Sequence, residues 1–210
     1  MNYGQIKAAV SAYANRDDLT ALFPTFLEMA EHQIYSGALS NGSAQMQVPP
    51  LRLSTMISVI TPTTTSLPAD FLEMKRVSAI VGGQKKALDF IPFEASGGSE
   101  NRSGVPSYFS LNGNNIVYSP TFTNAVEMVY YARFTTPVLD ADTNWLLVNA
   151  AAVYLSALLV EVSVYTRDDG MHAQQSMRYV SAMNALQAQD DGNKHSGATL
   201  RMRTDGRRLL

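Results

Sequence analysis

The histidines of this chain, His32, His172 and His195, lie far apart, and there is no cysteine. A zinc site needs His or Cys ligands at a few fixed spacings, such as two His four apart on one helix face. None of the three stands in such a pattern, so they read as surface residues and no metal is expected. Acidic pairs occur at Asp17-Asp18, Asp168-Asp169 and Asp190-Asp191. Paired carboxylates can do general acid–base work, but each pair flanks a predicted helix end, where capping or solvation accounts for it. Glycine-rich stretches occur without G-x-x-x-x-G-K-[ST] and without a G-x-G-x-x-G opening a helix after a strand, so no phosphate cradle is expected. No G-x-S-x-G elbow presents a serine as nucleophile. Catalysis, as by a small hydrolase using carboxylates, is the poorer reading: the chain is not expected to be an enzyme or to hold a cofactor.

The clearer chemical feature is uneven charge. From Gly192 to Leu210, Lys194, Arg201, Arg203, Arg207 and Arg208 stand against Asp205, a net of +4. Residues 1–191 carry eleven basic and seventeen acidic side chains, a net of −6, and together the two parts give the formal −2. Arginines on an arm can neutralise phosphates, and a nucleic-acid-binding accessory protein is the alternative reading. Against it, the arm has no aromatic residue for base stacking and the body is acidic. Leu200 and Met202 alternate with Arg201 and Arg203, and Leu209-Leu210 follow, a pattern suited to an extended peptide docking on a protein. Gly192–Leu210 otherwise has no hydrophobic period, which predicts an extended arm that takes its shape from a partner.

The elements that must carry this arm are helical at both ends. Ile6, Ala9, Val10 and Tyr13 repeat at helical spacing. Asp17 or Asp18 is expected to cap a second helix with Pro24 in its first turn, and Phe23, Phe26, Leu27, Ala30 and Ile34 share one face with Glu28 and Glu31 away from it. After a polar, Gly/Ser-rich stretch from Gly37 to Pro50 the period drops to about two. Strands are predicted at 51–60, 72–81, 86–91, 107–111, 116–119 and 125–134, with Gly82-Gly83 and Asn112-Gly113-Asn114-Asn115 as hairpin turns. The pattern is that of an antiparallel β module inserted between helices, interrupted by a surface loop at "ASGGSENRSGVP".

"NWLLVNAAAVYLSALLV", Asn144 to Val160, has no charge. A bilayer core asks for ~20 consecutive apolar residues, so the stretch is too short and no membrane is expected. It is read instead as a helix buried in protein, capped by Thr143, with Trp145, Val148, Ala152, Leu155, Leu159 and Val162 as one stripe. Asn149, Ser156 and Ser163, seven apart, form another face assigned to subunit contact, and a neighbouring subunit is expected to complete the helix's cover. Arg167-Asp168-Asp169-Gly170 breaks the chain before a last helix, where Met177, Val180, Met183 and Leu186 fan across one side. With 46% hydrophobic and 16% charged residues, the chain is an ordered α+β protein whose charge-poor surface suits subunit contacts. The N-terminus carries no apolar leader or cleavage site, so it is expected to stay in the cytoplasm where it is made. Domains are accordingly expected at 1–47 with 137–191 (helical), 48–136 (β-rich) and 192–210 (arm).

Several segments together resemble one family. "RDDLTALFPTFLEMAE", "SLPADFLEMKRV", "GVPSYFSLNGNNIVYSP", "MVYYARFTTPVLDADTNWLL" and "SGATLRMR" are similar, in this order, to segments of the head–tail connector, or adaptor, proteins of short-tailed bacteriophages, colinear over roughly residues 3–203. The resemblance implies a structural virion protein at the head–tail junction. Twelve copies would form a ring beneath the portal protein and continue the DNA channel towards a tail nozzle or tail-tube protein, and DNA would pass without specific binding. The helical parts would build the ring and the β module would face outward or towards the tail. The arm would reach the portal, with Ser196, Leu200, Arg201, Met202, Arg203, Arg207 and Arg208 as contacts. Residues 204–210 match the family least.

Overall fold

A computed structural model of the chain describes residues 1–41, 44–95 and 102–195. Helix α1 (Tyr3–Ala14) opens with a reciprocal cap: Asn2 Oδ1 accepts the Gln5 amide at 2.8 Å and Gln5 Oε1 accepts the Asn2 amide at 3.0 Å, satisfying two donors the first turn leaves free. α2 (Phe23–Ser36) has Pro24 in its first turn but no acidic cap. A 3-10 turn, Thr20–Leu22, leads into it, while Asp18 holds Arg16. α2 ends at Gly37, whose φ of +74° suits glycine and whose position leaves no room for a Cβ, which would lie 2.2 Å from the Val48 carbonyl.

The polar stretch after Gly37 contains a hairpin missed by the sequence reading, β1 (Ala38–Asn41) paired antiparallel with β2 (Ala44–Gln47). Four-residue strands are too short to declare a period of two. The run expected as a strand at 51–60 is one only at β3 (Ile57–Ile60). Before it Val48, Leu51, Leu53 and Met56 are buried in the helical core, so the helical half extends further into the chain than residue 47.

The sheet comprises β3, β4 (Phe71–Val81), β5 (Gln84–Phe90), β6 (Tyr108–Asn112), β7 (Asn115–Ser119) and β8 (Val126–Ala132), in the order β3-β8-β4-β5-β6-β7. Gly82 and Gly83 adopt positive φ in the β4–β5 turn and Gly113 does so between β6 and β7, as the hairpins require. The module is not wholly antiparallel: β5 and β6 run parallel, Asp89 against Tyr108 and Phe90 against Phe109. The connection between them, residues 91–107, is long enough for the crossover that parallel pairing needs. β8 lies between β3 and β4, and Val126–Tyr130 are buried on both faces. Its Glu127 is held by Arg76 at 3.1 Å and by Lys85, and its Tyr130 hydroxyl donates to Asp70 at 3.1 Å.

The apolar segment from Asn144 is two helices. Asn144, not Thr143, caps α3 (Trp145–Asn149), its Oδ1 accepting the Leu147 amide at 2.9 Å. The helix breaks at Ala150 (φ −141°, ψ 46°) before α4 (Ala151–Thr166). At the break the Asn149 side-chain amide bonds the Trp145 carbonyl at 2.9 Å, competing for the acceptor that its own backbone amide would use. α1, α2, α3 and α5 (Asp169–His195) all contact α4. Val153, Tyr154, Ala157, Leu158, Leu159, Val160 and Val162 are buried among them, so the chain's own helices cover most of α4 without a second subunit. The expected stripe holds at Leu159 and Val162, which are buried, but not at its start: Val148 is 60% exposed, Ala152 is exposed and Trp145 and Leu155 are half-buried. On α5, likewise, Met177 is 63% exposed while Gln175, Ser176, Tyr179, Met183 and Leu186 face the core.

Glu31 is the largest departure from the expected pattern, because it is only 5% exposed. Tyr154 Oη donates to its Oε1 and Thr136 Oγ1 to its Oε2, both at 2.6 Å, and Asn144 Nδ2 donates to Tyr154 Oη at 3.0 Å. Burial, and then the nearby Glu31 charge, raise the Tyr154 pKa, keeping its hydroxyl a donor.

α5 continues past the expected boundary at residue 191, through Gly192 to His195. Its last turns are anchored where Asp190 accepts the Ser54 amide at 3.0 Å and Lys194 at 2.7 Å. Burial pushes the Asp190 carboxyl up, but the bonds from Lys194 and Ser54 outweigh it and the pKa is lowered.

Two outcomes follow from these contacts. Tyr154→Phe leaves the Glu31 carboxylate short of a donor in the interior and is expected to cost about 1–3 kcal/mol, measured as a lower urea midpoint by circular dichroism. Because the folded pKa of Asp190 lies below its unfolded value, its contact with Ser54 adds stability above the ordinary carboxylate range and loses it as pH falls through the folded value. Amide exchange at Ser54 should therefore be faster in Asp190→Asn than in the unaltered chain at neutral pH, and the gap should close on acidification.

Candidate interaction surfaces

Of the residues assigned to contacts from sequence, Ser196, Leu200, Arg201, Met202, Arg203, Arg207 and Arg208 lie outside the described residues. Lys194, counted with the arm, is in α5 and is engaged by Asp190 and, at 2.9 Å, Asp191. Ser156 and Ser163 are 5% and 1% exposed. Ser156 Oγ donates to the Ala152 carbonyl at 2.7 Å and Ser163 Oγ to the Val160 carbonyl at 2.6 Å. These serines satisfy themselves on their own helix inside the chain, so of the three positions only Asn149 is exposed to meet another molecule.

His32 is exposed and His172 Nδ1 lies 3.2 Å from Ser163 Oγ. The Ser163 hydroxyl also bonds the Val160 carbonyl at 2.6 Å, so it is shared between its own helix and the imidazole. Among the described residues no group of three His, Asp or Glu side chains is placed to hold a metal ion, and no helix is long and apolar enough to cross a membrane.

What the described surface offers is apolar area in two places along α1. At its C-terminal end, Tyr13, Val164 and Tyr165 are all more than half exposed. Tyr165 packs its ring edge-on to Phe26 at 5.7 Å and lies under the Arg16 guanidinium, 6.0 Å from its centroid. Arg16 is itself fixed by Asp18. One turn back on α4, Glu161 bonds the Gln33 side chain, and burial pushes its carboxyl up against that bond. The result is an aromatic and aliphatic surface beside Glu161 and the Arg16–Asp18 pair.

At the N-terminal end, the Val138 and Leu139 amides both donate to Asp142 Oδ2, at 2.9 and 2.7 Å, and the Leu139 and Val138 bonds hold the Asp142 carboxyl below its usual range. This tight turn is tied to α1 by Gly4 to the Asp140 carbonyl at 2.9 Å and by Lys7 to the Asp140 carboxylate. It holds Val138 74% and Leu139 68% exposed. Met1, whose ammonium bonds the Leu147 carbonyl at 3.2 Å, and Val148 add to the same end, and Asn149 follows. Apolar side chains held outward by polar bonds mark contact surfaces more readily than core that failed to close. Sequence periodicity missed both because their display depends on which neighbours each helix meets.

No curated protein matches the chain. The family model described as SU10 adaptor protein matches residues 1–203, which include both helical segments, the whole sheet, α5 and the Leu200–Arg203 segment of the arm. The chain therefore belongs to the SU10 adaptor protein family, consistent with a structural head–tail adaptor of a bacteriophage.

Proposed function

We propose that this chain is the head–tail adaptor ring of a phage virion, twelve copies joining portal to tail and continuing the DNA channel. The observation that carries the ring is the pair of dissimilar apolar surfaces at opposite ends of α1. A closed cyclic ring is built from heterologous contacts, in which each protomer buries two different patches. In this reading Val138, Leu139, Val148 and Asn149 of one copy meet the Tyr13–Tyr165 surface of the next. The arm from Ser196 docks on the portal, with Leu200 and Met202 as apolar anchors and Arg201, Arg203, Arg207 and Arg208 as charge partners. The body, net −6 over residues 1–191, lets DNA phosphates pass without retention, and the β module meets the tail nozzle or tail-tube protein. The ring assembles in the host cytoplasm and functions in the virion.

A nucleic-acid-binding role for the arm is the second reading, but one of its cations, Lys194, is already neutralised by Asp190 and Asp191.

Electron microscopy of portal complexes tests the first reading: the full chain is expected as a ring under the portal. A chain ending at His195 should keep its helical circular dichroism yet leave the portal bare. A full chain that forms no ring on the portal would sink the proposal. For the second, Arg201, Arg203, Arg207 and Arg208 are changed together to Ala and DNA binding is titrated against salt. The adaptor reading expects no change in the salt slope, whereas four lost phosphate contacts would flatten it by roughly 3–4.

A further inference from the structure

β4 is paired on both edges only over part of its length. β8 pairs with it from Phe71 to Ala79, but β5 pairs with it only from Val77 to Val81, Val77 lying opposite Leu88. Beyond Leu88, β5 turns away to join β6: the Asp89 amide bonds the Ser107 carbonyl at 3.0 Å and the Ile91 amide bonds Phe109 at 2.9 Å. The sheet therefore forks. Among the described residues no strand faces the outer edge of β4 from Phe71 to Arg76, and between it and β5–β6 lies a cleft of about 490 Å³. Met74, Leu88, Phe90, Phe109 and Leu111 give it an apolar lining, and Phe90 is 57% exposed although its ring packs edge-on to Phe109 at 5.5 Å. An unpaired strand edge beside an apolar lining is the recognition surface for an added strand.

The charged groups of the lining are mostly engaged, and Asp89 is the one left to meet a basic guest. The two cations of the lining are turned to β8, on the far side of β4: Arg76 bonds Glu127 at 3.1 Å, and Lys75 lies 5.2 Å from the Tyr131 ring centroid. Of the two carboxylates of the lining, Asp89 makes no ion pair among the described residues, whereas Glu73 is already paired with Arg52 at 2.8 Å. That same contact shows where the cleft sits relative to the end of α5. Asp190 is bonded to Ser54, two residues after Arg52. His195, five residues on, is about 7.5 Å of helix rise beyond it. Leu200 and Met202 lie five and seven residues beyond His195, and extended they reach up to about 18 and about 25 Å from it. The Asp190–Ser54 and Arg52–Glu73 contacts bring the end of α5 and the rim of the cleft to the same corner.

We infer that this cleft seats the chain's own C-terminal arm, which adds as an extended strand along the free edge of β4, Leu200 and Met202 on the apolar lining and Arg201 and Arg203 towards Asp89. The alternation of apolar and basic residues in the arm matches a slot with an apolar side and an unpaired acid, Asp89. This inference concerns the chain before it meets a portal and does not rest on the portal reading.

The lack of cysteine makes the test direct, since introduced thiols are the only ones. In the full chain, Phe90→Cys is combined in turn with Leu200→Cys and Met202→Cys, and Met29→Cys, exposed on α2, replaces Phe90→Cys in the controls. Under mild oxidation in dilute solution at least one Phe90→Cys pair is expected to close within one chain about tenfold faster than its control, because a seated arm raises the local concentration of one thiol at the other. Independently, Leu200→Asp with Met202→Asp should speed amide exchange at the outer edge of Glu73–Arg76 about tenfold, as unpaired edge amides return to solvent. Equal closure at Phe90 and Met29, closure only between chains, or unchanged exchange would each overturn the assignment. No portal is present in either measurement, so failure here leaves portal docking standing, and failure of portal docking leaves this result standing.

Discussion

A carboxylate taken out of water must be given donors or it will neutralise or drag the fold open, and Glu31 meets this demand with groups from three parts of the chain. Its own helix, α2, supplies the carboxylate. Tyr154, in α4, supplies one donor and Thr136, in the segment that leaves the sheet, supplies the other. Asn144 then joins Tyr154, the Thr135 carbonyl and the Leu147 amide, so the residue that starts α3 also closes the network. The connection from β8 back to the helices is thereby locked to the centre of the helical half, and the β module cannot shift without breaking bonds to a buried charge.

The opposite connection, from α2 into the sheet, is secured by a different device. Gly37 turns the chain back on itself so closely that its carbonyl accepts the Val48 amide at 3.1 Å. Arg52 bonds the Tyr35 and Leu51 carbonyls while reaching Glu73 on β4. Asp190 brings the end of α5 to this same corner through Ser54. The module's first connection, the fork beside β4 and the root of the arm are thus gathered at one place, and this placement gives the arm two candidate destinations, the sheet fork and a portal.

Membership of the adaptor family and the exposed apolar residues agree on a protein that works by contact. Fully buried side chains build the cores of both halves, yet Val138, Leu139, Tyr165 and Phe90 are fixed outward by the polar bonds or ring contacts of their neighbours. Fixing a contact side chain before binding lowers the ordering cost that association must overcome. The burial of Ser156 and Ser163 in α4 follows from a related economy. Ser156 and Ser163 have settled on carbonyls of their own helix, which leaves their face free to pack.

Local chemistry was legible in the residues themselves. Pro24 in the first turn of α2, a helix break at Arg167-Asp168, the glycines of two hairpins and strands close to those expected at 72–81, 86–91 and 125–134 follow from turn preferences and periods read over a few residues. The α+β class was legible in the same way, and the family in the colinear segments. What the sequence alone left open involves residues that meet across long separations. Periodicity put Glu31 on the wet face of α2, because nothing nearby announces Tyr154 and Thr136, more than a hundred residues on. It set Ser156 and Ser163 outward, and asked a second subunit to cover α4, because four helices converge there only in three dimensions. The parallel turn of β5 onto β6, and the cleft it opens beside β4, belong to tertiary structure alone: local period says that a strand forms, while competition among distant edges and faces decides what it lies against.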